Sequence, residues 1–228
     1  MAKAKTAYVC SDCGASTTQW QGQCADCGAW NTLSAFVVEP ATAGKAAAPA
    51  TARHGGWAGR PEAAGITALR DVSQAAEART STTIGELDRV LGGGLVDGSV
   101  VLVGGDPGIG KSTLLLQALA QMSAGRPALY VTGEESLAQV AGRAQRLGLP
   151  VENLQALAET CVEKILAQAS SAKPAPRLLV ADSVQTLWSE LLTAAPGSVS
   201  QVRESAAKLV RFAKETGTSV FLVGHVTK

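Results

Sequence analysis

Val100-Val-Leu-Val-Gly-Gly-Asp-Pro-Gly-Ile-Gly-Lys-Ser-Thr-Leu-Leu-Leu116 passes from a short apolar run, through a glycine-rich turn, into a leucine-rich segment. Its centre, Gly105 to Ser112, fits the phosphate-loop pattern G-x-x-x-x-G-K-[ST] in the strand-to-helix setting that the pattern requires. Backbone amides must turn inward around phosphate oxygens, and a Cβ at the glycine positions would block that approach. Gly105, Asp106, Pro107, Gly108, Ile109, Gly110, Lys111, Ser112 and Thr113 are therefore the expected nucleotide-binding residues. Lys111 supplies charge to the β and γ phosphates, Ser112 offers a hydroxyl to Mg²⁺, and the helix start aims free N–H groups at the anion.

Working outward, apolar β-type runs alternate with helical ones from about residue 66 onward, as in α/β folds with a parallel sheet. Leu114 to Met122 is a predicted helix stopped by Gly125, and Ala128 to Thr132 is the next strand. Ser136 with Gln139 forms a capping box for a helix that runs to Leu147 and is closed by Gly148 and Pro150. Thr160 with Glu163 has the same form and predicts a second box. Arg177 to Ala181 is a buried-type strand. Val202, Ala206, Leu209, Val210 and Ala213 mark an amphipathic helix ended by Gly217, and Ser219 to Val223 is the last strand. The face carrying Arg203, Arg211 and Lys214 is expected to be solvated.

A nucleoside triphosphatase also needs a carboxylate for the magnesium shell, at the end of an apolar strand near the loop. Asp182 stands there, with capping of the following turn as its alternative use. A second carboxylate should polarise the attacking water. Glu134 is the expected residue, with its neighbour Glu135 as the alternative, because both follow the strand Ala128 to Thr132 and such loops line the ligand crevice. Acidic residues near a helix N-terminus also arise from the helix dipole alone. His225, after the last strand, either senses the γ-phosphate or is simply exposed to solvent.

The other chemistry lies at the start of the chain, where four of the five cysteines fall within the first 27 residues. Cys10-x2-Cys13 and Cys24-x2-Cys27 each precede a glycine, the arrangement of two knuckles closing a tetrahedron around Zn²⁺. Four thiolates leave no open coordination position, so the expected site is structural; disulfides or a redox pair are the alternative. Trp20 and Trp30 flank the second knuckle and are expected to pack over the metal site, with stacking on an unpaired base as the other reading. Cys161 is expected to be a small buried hydrophobe on a helical face with Ile165 and Ala169.

These features divide the 228 residues into a finger at 1–38, a flexible Ala/Pro/Gly linker at 39–65 and an ATPase-type domain at 66–228. The net charge of +1 gives no polybasic arm, so any nucleic-acid contact must come from local patches. A signal peptide and membrane-length apolar runs are both absent from the sequence, which makes the cytoplasm the expected location and a membrane an unexpected partner.

With both knuckles and the loop in place, the sequence closely resembles the bacterial RadA family, also called Sms, a group of RecA-like ATPases of DNA repair. The resemblance rests on Trp20, Cys27-Gly-Ala-Trp-Asn-Thr-Leu33, Glu86-Leu-Asp-Arg-Val-Leu-Gly-Gly-Gly-Leu95, the loop and Tyr130-Val-Thr-Gly-Glu-Glu-Ser136. It implies a RecA-like α/β core behind a four-cysteine finger, with ATP, Mg²⁺ and Zn²⁺ as cofactors. It also implies a DNA-dependent ATPase that binds single-stranded or branched DNA, works beside recombination proteins of the RecA type and assembles as a homo-hexamer. Glu134 becomes the catalytic glutamate and His225 the polar sensor. Family members continue through a Lys-Asn-Arg-Phe-Gly motif and a domain resembling the Lon protease, so this sequence is expected to carry an incomplete ATPase core. Two other functional classes remain: a regulatory ATP-binding module of KaiC type, and a zinc- and nucleotide-binding fragment without turnover.

Overall fold

The computed structural model describes residues 5–10, 12, 15–38, 68–71 and 78–225. The linker expected at 39–65 lies outside them, as does Cys13.

In the N-terminal part, β1 (Lys5–Cys10) pairs antiparallel with β2 (Ser16–Thr17) and β3 (Leu33–Val38), giving the order β2-β1-β3. Both cysteine turns close the same way: the Cys10 N–H donates to the Ala15 carbonyl, and the Cys24 N–H donates to the Ala29 carbonyl. Gly28 sits at φ +72, a conformation that carries little cost without a Cβ.

A second small unit precedes the loop strand. There β4 (Arg79–Thr80) pairs antiparallel with β5 (Leu95–Val96) around α1 (Gly85–Val90). Asp88 ties the unit together by accepting from Ser81 Oγ, Thr82 N and Thr82 Oγ1 at 2.5 to 2.7 Å. Gly94 is obligatory here, because a Cβ would lie 2.4 Å from the Thr80 carbonyl oxygen.

The main sheet contains β6 (Val100–Gly105), β7 (Ala128–Thr132), β8 (Leu154–Ala158), β9 (Leu178–Asp182) and β10 (Ser219–His225). Their order is β6-β10-β9-β7-β8, and every neighbouring pair is parallel. The helices are α2 (Lys111–Ser123), α3 (Leu137–Arg146), α4 (Val162–Ser171) and α5 (Val199–Thr216).

The period-two geometry of strands divides the side chains between two cores. Tyr130, Leu178, Val180, Phe221 and Val223 pack with Leu115, Leu116, Leu119, Val140 and Ala144 of α2 and α3. Leu129, Val131, Leu179, Ala181, Val220 and Leu222 pack with Val162, Ile165, Ala169, Leu209 and Phe212 of α4 and α5. Helices on both faces explain why β7 and β9 are buried at every position, as the continuous apolar runs predict.

The helix signals hold with small shifts of boundary. Ser136 and Gln139 make the full capping box, and Gly217 closes α5 at φ +71. The box expected from Thr160 and Glu163 does not form. Cys161 is the N-cap of α4 and makes no side-chain cap bond. Thr160 Oγ1 instead accepts from the Trp188 indole, and Glu163 accepts from Ser189 Oγ and pairs with Lys208. Tertiary partners took both polar groups. Cys161 itself is fully buried, as expected. Arg203, Arg211 and Lys214 are exposed. The sequence reading also left out β8, whose residues are half-buried or exposed.

Candidate functional site

Parallel strands deliver their carboxyl ends to one edge of the sheet, and the residues singled out in the sequence meet there. Register places His225 of β10 opposite Gly105 of β6, and Thr132 of β7 opposite Asp182 of β9.

The loop between β6 and α2 is shaped by left-handed glycines: Gly108 at φ +79 and Gly110 at φ +102. A Cβ added to either would meet nothing within 4 Å, so the cradle is open on its outer side. Asp106, Pro107, Gly108, Ile109 and Gly110 are exposed, whereas Lys111 is buried. Its Nζ donates to the carbonyls of Gly105 and Asp106, 2.8 Å each. Ser112 and Thr113 lie half-buried in the first turn of α2, which carries no acidic residue. An uncapped helix start without a carboxylate is a fit for an anion.

Asp182 ends β9, is 6% exposed and accepts from the Tyr130 hydroxyl at 2.5 Å. Burial raises the Tyr130 phenol above its usual range, and the adjacent Asp182 charge pushes it further. Gly133 follows β7 with its N–H on the Asp182 carbonyl. A Cβ there would come within 2.1 Å of Thr186 Oγ1 and 2.8 Å of Thr186 Cβ, so the close approach of the turn after β9 requires glycine.

The neighbouring glutamates go separate ways. Glu135 forms an ion pair with Arg143, and its backbone is fastened to Thr132 Oγ1. Glu134 is more exposed, accepts from Ser183 Oγ and lies 3.2 Å from His225 Nε2. Gln185 Nε2 donates to the His225 carbonyl at 3.1 Å. Among the described residues, the buried Gln185 Oε1 and His225 Nδ1 atoms have no hydrogen-bond partner. Asp182, Glu134 and His225 thus lie at the same carboxyl edge of the sheet from which the loop leaves β6, while Glu135 is tied to α3. The sequence reading missed Tyr130, Ser183 and Gln185; only the adjacency of Ser183 to Asp182 hinted at any of them.

In the finger, the sulfurs of Cys10, Cys24 and Cys27 all lie within 4.8 Å of one another, and Cys10 and Cys27 are 3.7 Å apart. Thiolates held tetrahedrally at the usual zinc–sulfur length stand about 3.8 Å apart, so these three fit a zinc centre. Trp20 and Trp30 do not pack over it. They are 57% and 69% exposed and stand on either side of Gly22.

Comparison with known proteins agrees with both halves of this description. A family model described as KaiC matches residues 80–174, and one described as a rubredoxin metal binding domain matches residues 8–35. The chain is 58% identical to DNA repair protein RadA of Pseudomonas aeruginosa, 50% to that of Escherichia coli and 44% to that of Bacillus subtilis. Each match covers the whole chain and 48% of the relative, so the chain spans about half the length of the curated relatives it matches. Among the described residues no helix is long and apolar enough to cross a membrane. Matched along its full length, with the finger in front of a KaiC-like α/β core, this chain belongs to the RadA family of DNA repair proteins.

Proposed function

We propose that this chain is the zinc-finger and nucleotide-binding part of an ATP hydrolase of recombinational DNA repair, acting in the cytoplasm on single-stranded or branched DNA. The observation that carries the reading is the meeting of Lys111, Asp182, Glu134 and His225 at the carboxyl ends of four adjacent parallel strands. In this reading residues 1–38 form the finger on Cys10, Cys13, Cys24 and Cys27, residues 39–65 a tether, and residues 66–228 the ATPase unit.

Residues 105–113 hold the triphosphate of ATP through backbone N–H groups. The Lys111 ammonium leaves the Gly105 and Asp106 carbonyls for phosphate oxygens, a stronger charge-assisted partner. Ser112 and Asp182 hold Mg²⁺ and its waters, and bound Mg²⁺ neutralises charge developing on the phosphates. Glu134 orients and deprotonates the attacking water. Ser183 and His225 fix its carboxylate through Oε1, and His225 is placed to report on the γ-phosphate. The relatives' name, DNA repair protein, supports DNA as the substrate; recombination proteins of the RecA type as partners and a homo-hexamer as the assembly are what the family resemblance implies.

ATP hydrolysis with and without single-stranded DNA tests the reading. DNA-stimulated turnover that disappears in Glu134→Gln supports it. A second reading, a regulatory nucleotide switch, is favoured by the match to the KaiC model over residues 80–174. Nucleotide-dependent partner binding with no response to DNA would select that alternative.

A further inference from the structure

The structure assigns Tyr130 as a positioning residue for the Mg²⁺-binding carboxylate Asp182. The assignment rests on the proposed role of Asp182 in the magnesium shell and adds to that site a residue whose ring lies in the core.

Asp182 falls on the same face of β9 as Leu178 and Val180, the face covered by α2, whose first turn follows the phosphate loop. Tyr130 lies one strand over on β7, paired with Val180, so its ring lies diagonal to Asp182 on that face. The ring is fully buried among Leu115, Leu119 and Val180, where phenylalanine would serve packing equally well. The hydroxyl is the part that packing does not explain. It is spent on Asp182 Oδ2, at 2.5 Å.

A carboxylate that is 6% exposed has lost most of its water, and such burial is costly without a hydrogen-bond donor. The hydroxyl supplies that donor and pins the rotamer of one carboxylate oxygen. A group that holds a ligand's orientation from behind controls metal affinity, as outer partners of metal ligands do generally.

Removing the hydroxyl should therefore weaken Mg²⁺ binding at the nucleotide site while leaving metal-free nucleotide binding alone. The test titrates Mg²⁺ into the chain with fluorescently labelled ATP, comparing Tyr130→Phe, Asp182→Asn and the double variant. The expected result is a half-saturating Mg²⁺ concentration raised about tenfold in Tyr130→Phe, with affinity in chelator unchanged. The double variant should be no worse than Asp182→Asn alone. If Asp182→Asn shifts the Mg²⁺ requirement and Tyr130→Phe does not, the positioning role is overturned and the role of Asp182 stands. If Asp182→Asn itself has no effect, the magnesium reading fails and the inference falls with it.

A second measurement covers the case in which Tyr130→Phe does not fold. The chain has two tyrosines, Tyr8 and Tyr130, so 3-fluorotyrosine gives two ¹⁹F resonances, assigned with Tyr8→Phe. Adding Mg²⁺ to the ATP-bound chain should shift the resonance of residue 130. An unmoved resonance at saturating Mg²⁺ would overturn the assignment.

Discussion

Glu134 and Glu135 are identical in type and adjacent in sequence, and only their surroundings separate them. Arg143 engages Glu135 where both are partly buried, whereas Glu134 faces Ser183 and His225 beside the loop. Glu134→Gln should lower kcat by a hundredfold or more with nucleotide affinity retained, the usual size of a lost general base. Glu135→Gln should retain turnover and cost about 1 to 3 kcal/mol of stability, because it leaves the Arg143 guanidinium without its anion. Steady-state kinetics and urea unfolding of the two variants separate these outcomes, and a reversed pattern would exchange the roles. Spacing placed both glutamates after β7 without separating them, and the preference for Glu134 rested on the family resemblance, since the physical difference between them depends on α3 and β10. For Tyr130 there was no sequence signal, because its partner lies 52 positions away.

At the scale of elements, Glu163 shows how tertiary contacts override a local pattern. Burial would raise its carboxyl, but donation from Ser189 Oγ, the Lys208 ammonium and backbone N–H groups holds it down at about 2. Because the folded value is depressed, this group contributes stability that is fully present above the unfolded value near 4.5. That contribution is lost as pH falls from there toward about 2. Unfolding followed across this window should show a loss of stability that is smaller in Glu163→Gln; equal curves would contradict the network. The box that did form is simpler: Ser136→Ala should cost α3 about 1 kcal/mol in urea unfolding. Strands β7, β9 and β10 were legible because helices on both faces demand unbroken apolar runs. Strand β8, Leu-Gln-Ala-Leu-Ala, has an exposed face and residues that suit a helix equally well. Its conformation comes from its pairing with β7, which no local pattern records.

At the scale of the whole molecule, the α/β class with a parallel sheet was legible in the alternation of apolar and helical runs around one glycine-rich turn, whereas the strand order β6-β10-β9-β7-β8 was not. The finger was legible from cysteine spacing, because tetrahedral coordination imposes a repeated turn that sequence can show. The exposure of Trp20 and Trp30 was not, because no local spacing distinguishes an aromatic that covers the cysteines from one that faces solvent. The purified chain should contain one zinc per molecule by atomic absorption, and Cys24→Ser should carry much less. The most direct measurement is a calorimetric titration of ATP with Mg²⁺ into the 228-residue chain and into Lys111→Ala. The expected result is one site per chain, weakened tenfold or more without the lysine ammonium. Equal binding by the two proteins, or none by either, would contradict the assignment of residues 105–113 as the nucleotide site.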